Sequence, residues 1–482
     1  MKRIDNHYGV VIIGAGPAGL AAGIKLVKAG KKVLTVEKES HVGGISKTIE
    51  YKGYRFDLGG HRFFTKSKEV NDLWNETLGK DFITRPRLSR IYYQNKFFAY
   101  PVKPLNALKG LGLKESILIL ASYIKIKIFP YKKEDTFEEW VTNRFGKKLY
   151  NTFFKAYTEK LWGIPCNQIQ AEWAAQRIKG LSMVSALKNA ILPDKKGKIK
   201  TLIDKFNYPK LGPGMMYDKM AENFIKMGGT LITEVKINSL DVKGGKVVDA
   251  SLKSKNGEVR VSADFFISSM PITFLVKVLD PAVDPKTLKA ANKLTYRSFI
   301  TVSLILNSKN PFPDTWIYVH SPEAKMGRIQ NFENWSPFMV PNKKHTALGL
   351  EYFCTEGDEL WNFDDKDLIE LGLNELEFIK LGKKKDFVDG FVTRVPKTYP
   401  VYDSAYPKNL KIIKEYLENI ENLQPVGRYG MFKYNNMDHS ILAGIYAAEN
   451  ILGANHNIWE VNADQEYYEE GKSEKKKELF AV

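Results

Sequence analysis

The chain has 482 residues, of which 44% are hydrophobic and 12% aromatic, and its formal net charge is +18. The length exceeds what one hydrophobic core usually supports and the composition excludes a disordered chain, so we expect two or more globular domains. The excess lysine is scattered without a nucleic-acid motif, and the two cysteines have no metal-ligand spacing, which argues against nucleic-acid binding and against zinc or iron–sulfur chemistry.

The first predicted elements are a β-strand, Tyr8–Ile13, and a helix, Leu20–Ala29, joined by the sequence GAGPAG. Each glycine of that turn has a physical reason: a tight turn, close approach of a pyrophosphate, and close packing of helix on strand. These residues are Gly14, Gly16 and Gly19. The order of strand, turn and helix predicts a Rossmann-type dinucleotide site.

A second predicted strand, Lys32–Val36, ends in Glu37, whose carboxylate is placed to bind ribose hydroxyls. Two glycine pairs follow: Gly43-Gly44 lies close to Ser46, and Gly59-Gly60 comes directly before His61. Either pair alone could be an ordinary turn. Both together favour FAD over NAD, because glycine lets the backbone lie against the pyrophosphate and the flavin ring.

Later segments predict that the FAD domain is discontinuous. Gly228–Ile237, which contains Val235, and Ala263–Pro271 read as strands, and hairpin turns separate them. A final helix is expected over Ile441–Leu452, with Asp438 or Ser440 as its cap. The cofactor-binding residues expected in this last return are Gly427, Asn436, Met437, Asp438 and Ser440.

The predicted fold is α/β, a discontinuous Rossmann-type FAD-binding domain with a helical insertion and an antiparallel β-sheet substrate domain. The ranges are 1–100, 201–275 and 411–468 for FAD binding, 101–200 for the helical part, 276–410 for the sheet, and 469–482 for a charged tail. The apolar run Ile117–Ile128 is short and carries lysines, so we predict a buried or interfacial helix and no integral membrane protein.

With these residues in view, the chain resembles the UDP-galactopyranose mutases, within the amine-oxidase-like flavoprotein superfamily. The likeness is sharpest in four blocks: residues 59–64 (GGHRFF), 153–163 (FFKAYTEKLWG), 294–298 (LTYRS) and 427–440 (GRYGMFKYNNMDHS). The resemblance implies interconversion of UDP-sugars between pyranose and furanose rings. The N5 atom of reduced FAD would act as the nucleophile, without net oxidation.

The resemblance also implies roles for individual residues. Phe153 and Tyr157 match positions that hold uridine, and Trp162 matches one near the sugar. Arg428 and Tyr434 match residues that grip the diphosphate and position the sugar, and His61 matches a residue whose backbone carbonyl lies by the flavin N5. A helix face buried in the core would give the same spacing of Phe153 and Tyr157, and a buried structural histidine would equally explain His61.

Two further arginines, Arg297 and Arg328, are candidate diphosphate ligands because guanidinium groups suit phosphates, although an exposed arginine is usually only surface. Two departures from the mutases concern residues that bind the substrate. No arginine stands in the segment after Arg177 where the mutases carry one on a mobile loop, and a tyrosine expected near Met326-Gly327-Arg328 is missing.

The expected partner is therefore a small molecule, a UDP-sugar or another anionic sugar-linked ligand, and an oligomer is possible. The alternative is an oxidoreductase of the amine-oxidase or protoporphyrinogen-oxidase type that takes hydride from its substrate. NADPH or NADH is a plausible reductant, although the chain has no second complete GxGxxG with an acid. We expect a cytoplasmic enzyme without a metal, because cysteine is scarce.

Overall fold

The computed structural model describes residues 5–100, 106, 110–171 and 205–462. The predicted charged tail, 469–482, and the segment after Arg177 that lacks the expected arginine lie outside these residues.

The longer helices are distributed along the whole described chain. In chain order they are α1 Pro17–Lys28, α2 Lys68–Leu78, α3 Leu113–Ile128, α4 Phe137–Phe145, α5 Ala156–Trp162, α6 Gly214–Lys226, α7 Pro285–Lys293, α8 Asp365–Phe378, α9 Tyr406–Leu417 and α10 Met437–Ile451. A π-helical turn, Tyr150–Lys155, leads into α5. Four-residue helices lie at Ile272–Leu275, Phe332–Trp335, Glu359–Asn362 and Gly427–Gly430, and a shorter one at Lys147–Leu149.

The first sheet forms the nucleotide-binding core. Its strands are β1 His7–Ile13, β2 Val33–Val36, β9 Thr230–Ile232, β10 Lys236–Lys243, β11 Lys246–Ser254, β12 Gly257–Ser268, β13 Leu279–Asp280 and β19 Leu423–Pro425. The order is β13-β10-β11-β12-β1-β2-β9, and β19 also pairs with β12. Strands β12, β1, β2 and β9 run parallel, as a Rossmann core requires, whereas β10, β11 and β12 form hairpins.

The second sheet lines a cavity that it shares with the first sheet. Its order is β18-β14-β17-β16-β15-β6-β7, with strands β6 Ser89–Tyr93, β7 Lys96–Ala99, β14 Tyr296–Leu306, β15 Trp316–Val319, β16 Arg328–Asn331, β17 Thr346–Cys354 and β18 Phe387–Pro400. Its pairings are antiparallel except for β6 with β15. Two small antiparallel pairs complete the described strands: the hairpin of β3 Thr48–Tyr51 with β4 Tyr54–Asp57, and the pair of β5 Phe82–Pro86 with the distant β8 Lys205–Pro209.

Helices α1 and α10 pack closely against each other, which joins the N-terminal and C-terminal parts of the described chain. A Cβ atom added at Gly444 would lie 2.1 Å from the carbonyl oxygen of Ala18. Only glycine permits this approach, and it brings the N-termini of both helices to the same side of the first sheet.

The sheet pairings confirm the predicted α/β fold with a discontinuous Rossmann core. The helical character predicted after residue 101 is present in α3, α4 and α5. The domain boundaries themselves stay a prediction. Strands β6 and β7 belong to the second sheet although they lie within the first predicted FAD segment, 1–100.

One predicted strand is wrong. The segment Gly228–Ile237 contains two strands, β9 and β10, with a break at Glu234, whose φ is +59°. The break occurs because β9 pairs with β2 while β10 turns away to pair with β11. At the break, the N–H of Val235 donates to the carbonyl of Glu37 over 2.9 Å.

Candidate active site

A cavity of about 860 Å³ lies between the two sheets. One wall, which we call the lower wall, consists of the ends of β1 and β2 and the N-termini of α1 and α10. The other, the upper wall, consists of strands from the second sheet, and the part of the cavity beside it is called the upper end. The carboxyl ends of parallel strands in an open α/β sheet are where such folds bind ligands. The cavity is therefore the candidate active site.

The glycine-rich turn at the start of α1 leaves room for a ligand. Gly14 has φ +100°, which only glycine adopts easily, and a Cβ at Gly16 would meet nothing within 4 Å. A Cβ at Gly19 would lie 1.9 Å from the carbonyl oxygen of Gly14, so that glycine is needed for packing. A Cβ at Gly44 would lie 3.8 Å from the Cα of Gly16, so the two glycine segments are in contact. The open space at Gly16, together with the free N–H groups of α1, suits a pyrophosphate.

Glu37 lies at the end of β2 and stabilises the glycine-rich turn through hydrogen bonds. Its two carboxylate oxygens accept hydrogen bonds from the N–H groups of Ala15, at 2.8 Å, and Glu39, at 3.0 Å. The carboxylate lines the cavity beside Val235 and Ser46. Gly43 donates its N–H to the carbonyl of Ala15 over 2.9 Å, which holds the second glycine pair against the first turn.

The last helix begins earlier than the sequence predicts. Asn436 is the N-cap and α10 starts at Met437, so the prediction that Asp438 or Ser440 caps the helix is wrong. The backbone N–H of Asn436 bonds to Nδ1 of His439 at 3.3 Å, which fixes this start. Burial raises the pKa of Asp438 to about 6, against hydrogen bonds that lower it. Gly427, Asn436, Met437, Asp438 and Ser440 all line the cavity.

These residues fit FAD. The unfilled space at Gly16, the two helix N-termini and the carboxylate of Glu37 suit the pyrophosphate and the ribose. Gly59, Gly60 and His61 line the cavity further on, where a planar ring could lie against the backbone. Two of the predicted cofactor residues, Gly19 and Gly43, do not line the cavity. Gly19 packs against the carbonyl of Gly14, and Gly43 donates its N–H to the carbonyl of Ala15.

At the upper end of the cavity, Arg428 lies against two tyrosines. Its guanidinium carbon is 4.2 Å from the ring centroid of Tyr434 and 5.0 Å from that of Tyr399. The two rings stack with centroids 5.7 Å apart. Nη1 donates to the carbonyl of Asn435 over 3.4 Å, while Nε and Nη2 are buried and have no partner among the described residues. Arg428 therefore has hydrogen-bonding capacity left for an anion.

Arg328, which also lines the cavity, is held in the protein differently. It forms an ion pair with the fully buried Glu351 on the neighbouring strand, and its Nη2 donates to the hydroxyl of Tyr399 over 2.8 Å. Burial alone would lower the pKa of Arg328, but the attraction of Glu351 outweighs it, so the pKa is raised well above its usual value. The charge of Arg328 is thus largely neutralised before any substrate arrives.

His61 lies near both arginines. Burial, followed by repulsion from Arg428 and then Arg328, lowers the pKa of His61 to about 4. The imidazole is therefore neutral at physiological pH.

The other predicted site residues lie in the packed layer around the cavity and are not among its lining residues. Phe153 is buried against Phe98, with ring centroids 5.1 Å apart. Tyr157 stacks on His320 with centroids 4.6 Å apart, so one of its faces is already covered. Trp162 stacks on Tyr402 at 6.0 Å. The roles assigned to these side chains stay predictions.

Arg297 lies at the C-terminal end of α5. Its Nε and Nη2 donate to the carbonyls of Leu161, at 3.3 Å, and Lys160, at 3.4 Å. A guanidinium here satisfies helix carbonyls that have no partner within the helix. A phosphate role for Arg297 stays a prediction.

Sequence reasoning missed several residues that shape the site. Tyr399 lies at the end of β18, and Glu351 is the cross-strand neighbour of Arg328. Lys160 donates from Nζ to the carbonyls of Val319, Ser321, Ala324 and Met326, which fixes the loop before Arg328. Lys160 is visible in the sequence block FFKAYTEKLWG. Its structural role could not be predicted, because the carbonyls to which it donates lie on a loop that is distant in the sequence.

Comparisons with known proteins agree with this geometry. The family model described as flavin containing amine oxidoreductase matches residues 17–452. A probable UDP-galactopyranose mutase from Klebsiella pneumoniae is 25% identical over 182 residues, which cover 34% of this chain and 44% of that protein. A chloroplastic prolycopene isomerase from Daucus carota is 26% identical over 436 residues, covering 82% of this chain and 67% of that protein.

Solved structures share the fold. A crystal structure of reduced UDP-galactopyranose mutase has a TM-score of 0.82 at 23% identity, and the match covers 95% of this chain and 98% of that one. A protein assigned as a protoporphyrinogen oxidase from Exiguobacterium sp. has a TM-score of 0.71 at 17% identity, with 93% and 99% covered.

Within the described residues, no helix is both long and apolar enough to cross a membrane. The same part of the chain contains no group of three or more His, Cys, Asp or Glu side chains that could hold a metal ion.

Proposed function

Because the chain belongs to the flavin-containing amine oxidoreductase family and is an FAD-dependent enzyme, we propose that it is a UDP-galactopyranose mutase-like isomerase. Its substrate would be a nucleotide-linked sugar, with the diphosphate held at the upper end of the cavity. Reduced FAD would supply a nucleophilic ring nitrogen for the anomeric carbon, so that the ring size changes without net oxidation.

The observation that carries this proposal is the state of Arg428. A buried guanidinium with two unpartnered nitrogens is costly unless an anion joins it, and this one faces the cavity that fits FAD. A diphosphate leaving group develops negative charge as its bond to the sugar breaks. A fixed cation at that position would stabilise the charge more in the transition state than in the ground state.

The neighbouring residues would position this cation and the sugar. The rings of Tyr434 and Tyr399 pack against the guanidinium, and both residues line the cavity, where their hydroxyl groups could bond to a sugar or a phosphate. The neutral His61 adds no competing charge. The likeness to a reduced UDP-galactopyranose mutase structure and to a probable mutase sequence supports the same assignment. We place the enzyme in the cytoplasm, with NADPH or NADH as reductant.

The test is turnover of candidate UDP-sugars, beginning with UDP-galactopyranose, by enzyme reduced with dithionite. We expect the ring isomer to form with reduced enzyme and not with oxidised enzyme. A matched variant, Arg260→Ala, removes an exposed arginine that does not line the cavity and should behave as the wild type. Failure of every UDP-sugar to react with reduced enzyme would count against the proposal.

A second candidate function is an oxidoreductase that takes hydride from its substrate. The pairing of Arg328 with Glu351 favours it, because the carboxylate offsets the charge of one of the two cavity-lining arginines that the isomerase would use for a diphosphate. The aromatic wall of Trp316, Tyr318 and Trp335 would suit an apolar substrate. The similarity to a prolycopene isomerase and to a protein assigned as a protoporphyrinogen oxidase points to substrates of this kind. Stoichiometric bleaching of oxidised flavin by such a compound would favour it over the isomerase.

A further inference from the structure

Helix α3 carries an apolar face that nothing in the described chain covers. Leu113 is 79% exposed, Ile117 58%, Ile124 51% and Ile128 63%, and Leu120 on the same face is also exposed. These residues follow one another at intervals of three and four, so they form one stripe along the helix. We call residues 113, 117, 120, 124 and 128 the apolar stripe.

The chain continues this surface beyond the helix. Phe129 is 71% exposed and Tyr131 is exposed as well. Only Ile119 and Tyr123 of α3 are buried, and they attach the helix to Leu111 and Leu149 through its opposite face. The helix is therefore anchored by one side and presents the other to its surroundings.

Lysines border the apolar stripe. Lys114 and Lys125 are exposed and follow the stripe on one edge, and Lys132 and Lys133 are exposed just after the helix. None of these four pairs with a carboxylate within the described residues. Glu115, the nearest acid on the helix, is already paired with Lys148 at 2.8 Å. The surface is both apolar and positively charged.

We propose that this face of α3 docks on the surface of a bilayer that contains anionic phospholipid. An amphipathic helix lies in the headgroup region with its apolar side chains inserted, and lysines beside them reach the phosphates. The net charge of +18 adds long-range attraction to such a surface. A protein partner would need a complementary acidic groove, whereas a bilayer needs only the apolar side chains and lysines already present.

The position of the helix links this docking to the cavity. The hydrophobic cluster around Phe153 joins Leu111 and Leu149 to Tyr318, and Tyr318 lines the cavity. The bilayer surface would therefore lie next to the substrate side of the enzyme. An enzyme bound in this way could meet a substrate or release a product at the membrane.

The experiment is cosedimentation of the FAD-bound full chain with vesicles of pure phosphatidylcholine and with vesicles of an equimolar mixture of phosphatidylcholine and phosphatidylglycerol. We expect binding to the mixed vesicles that weakens as salt is raised. The variant Ile117→Gln with Ile124→Gln should lower the partition coefficient by about tenfold or more, since it removes two inserted side chains.

The matched control is Phe378→Gln, which replaces a helical side chain that is 49% exposed at the end of α8. It should bind vesicles as the wild type does. Lys114→Gln with Lys125→Gln should weaken binding to mixed vesicles. Lys226→Gln with Lys411→Gln should not, because these two exposed lysines lie on α6 and α9 and not on α3. The thermal unfolding and flavin absorbance of each variant show whether it is folded.

Equal binding of the Ile117→Gln, Ile124→Gln variant and the wild type would overturn the proposal. An absence of binding to the mixed vesicles would overturn it as well. A dimer that the same variant dissociates in analytical ultracentrifugation would then assign the stripe to a second copy of the chain. Since neither result depends on turnover, this test is independent of the proposed isomerase activity.

Discussion

The guanidinium of Arg428 lies 4.2 Å from the ring centroid of Tyr434, and two of its nitrogens have no hydrogen-bond partner within the described residues. The stacking fixes the plane of the cation without using its donors. A cation that is positioned in advance and left unsatisfied can bind an anion without a further cost of rearrangement.

We predict that Arg428→Ala lowers kcat/KM by about 100-fold or more, as expected for the loss of a fixed cation at a developing negative charge. The FAD content and the flavin absorbance spectrum should stay unchanged, because we assign the guanidinium to the diphosphate of the substrate and not to the cofactor. Arg428→Lys should recover only part of the activity, since an ammonium lacks the planar fork. Loss of bound FAD in Arg428→Ala would assign this residue to the cofactor instead.

Two glycines of the first turn should respond differently to alanine. Gly19→Ala should lower the free energy of unfolding by about 1–3 kcal/mol, because the new Cβ would meet the Gly14 carbonyl. Gly16→Ala should leave the Tm of the apoprotein nearly unchanged and weaken FAD binding, since its Cβ would occupy the open space above the turn. Thermal unfolding of the apoproteins and FAD titration measure the two effects. Equal FAD affinity of Gly16→Ala and the wild type would contradict this site for the pyrophosphate.

Glu351→Gln should lower the stability of the protein and raise its affinity for the substrate. Breaking a buried ion pair by removing one partner costs about 3–5 kcal/mol, so urea unfolding should show a less stable protein. The positive charge of Arg328 would then have no carboxylate partner and would be available to an anion, so we expect a lower KM for the UDP-sugar. A KM that stays the same or rises in a folded variant would show that Arg328 does not face the diphosphate.

Asp57 should make stability depend on pH. Burial raises the pKa of this carboxyl from 3.8 to about 7, although hydrogen bonds from Tyr208 and Thr48 act against the rise. The folded state therefore binds more protons than the unfolded state between these values, and the contribution of Asp57 to stability falls as pH rises from about 4 to about 7. Over this window the loss is about 4 kcal/mol.

The variant Asp57→Asn cannot ionise and tests this directly. Relative to the wild type, its free energy of unfolding should increase between pH 5 and pH 8, because only the wild type loses stability over that range. Urea unfolding at both pH values gives the difference. A difference that does not change with pH would mean that Asp57 titrates normally.

The sequence predicts the features that depend on local chemistry. Gly14 and Gly16 are recognisable because a tight turn and an open backbone impose glycine within a few residues of a strand. The break at Glu234 and the start of α10 at Met437 were missed, because strand pairing with β11 and the bond between Asn436 and His439 decide them. These contacts become visible only when the elements are assembled.

The upper end of the site was harder to predict for the same reason. Arg328 is recognisable as a cation, but its neutralisation by Glu351 follows from the register of two neighbouring strands. The i,i+4 spacing of Phe153 and Tyr157 indicates one helix face. It does not reveal that His320, from a distant loop, covers Tyr157.

The most direct measurement of the central claim is an anaerobic absorbance experiment with excess UDP-galactopyranose. Enzyme reduced once should form many equivalents of the furanose isomer while the flavin spectrum stays reduced, because an isomerase returns every electron that it uses. If oxidised enzyme is instead bleached by one equivalent of substrate, or if reduced enzyme forms no product, the account of this protein as a reduced-flavin isomerase is contradicted.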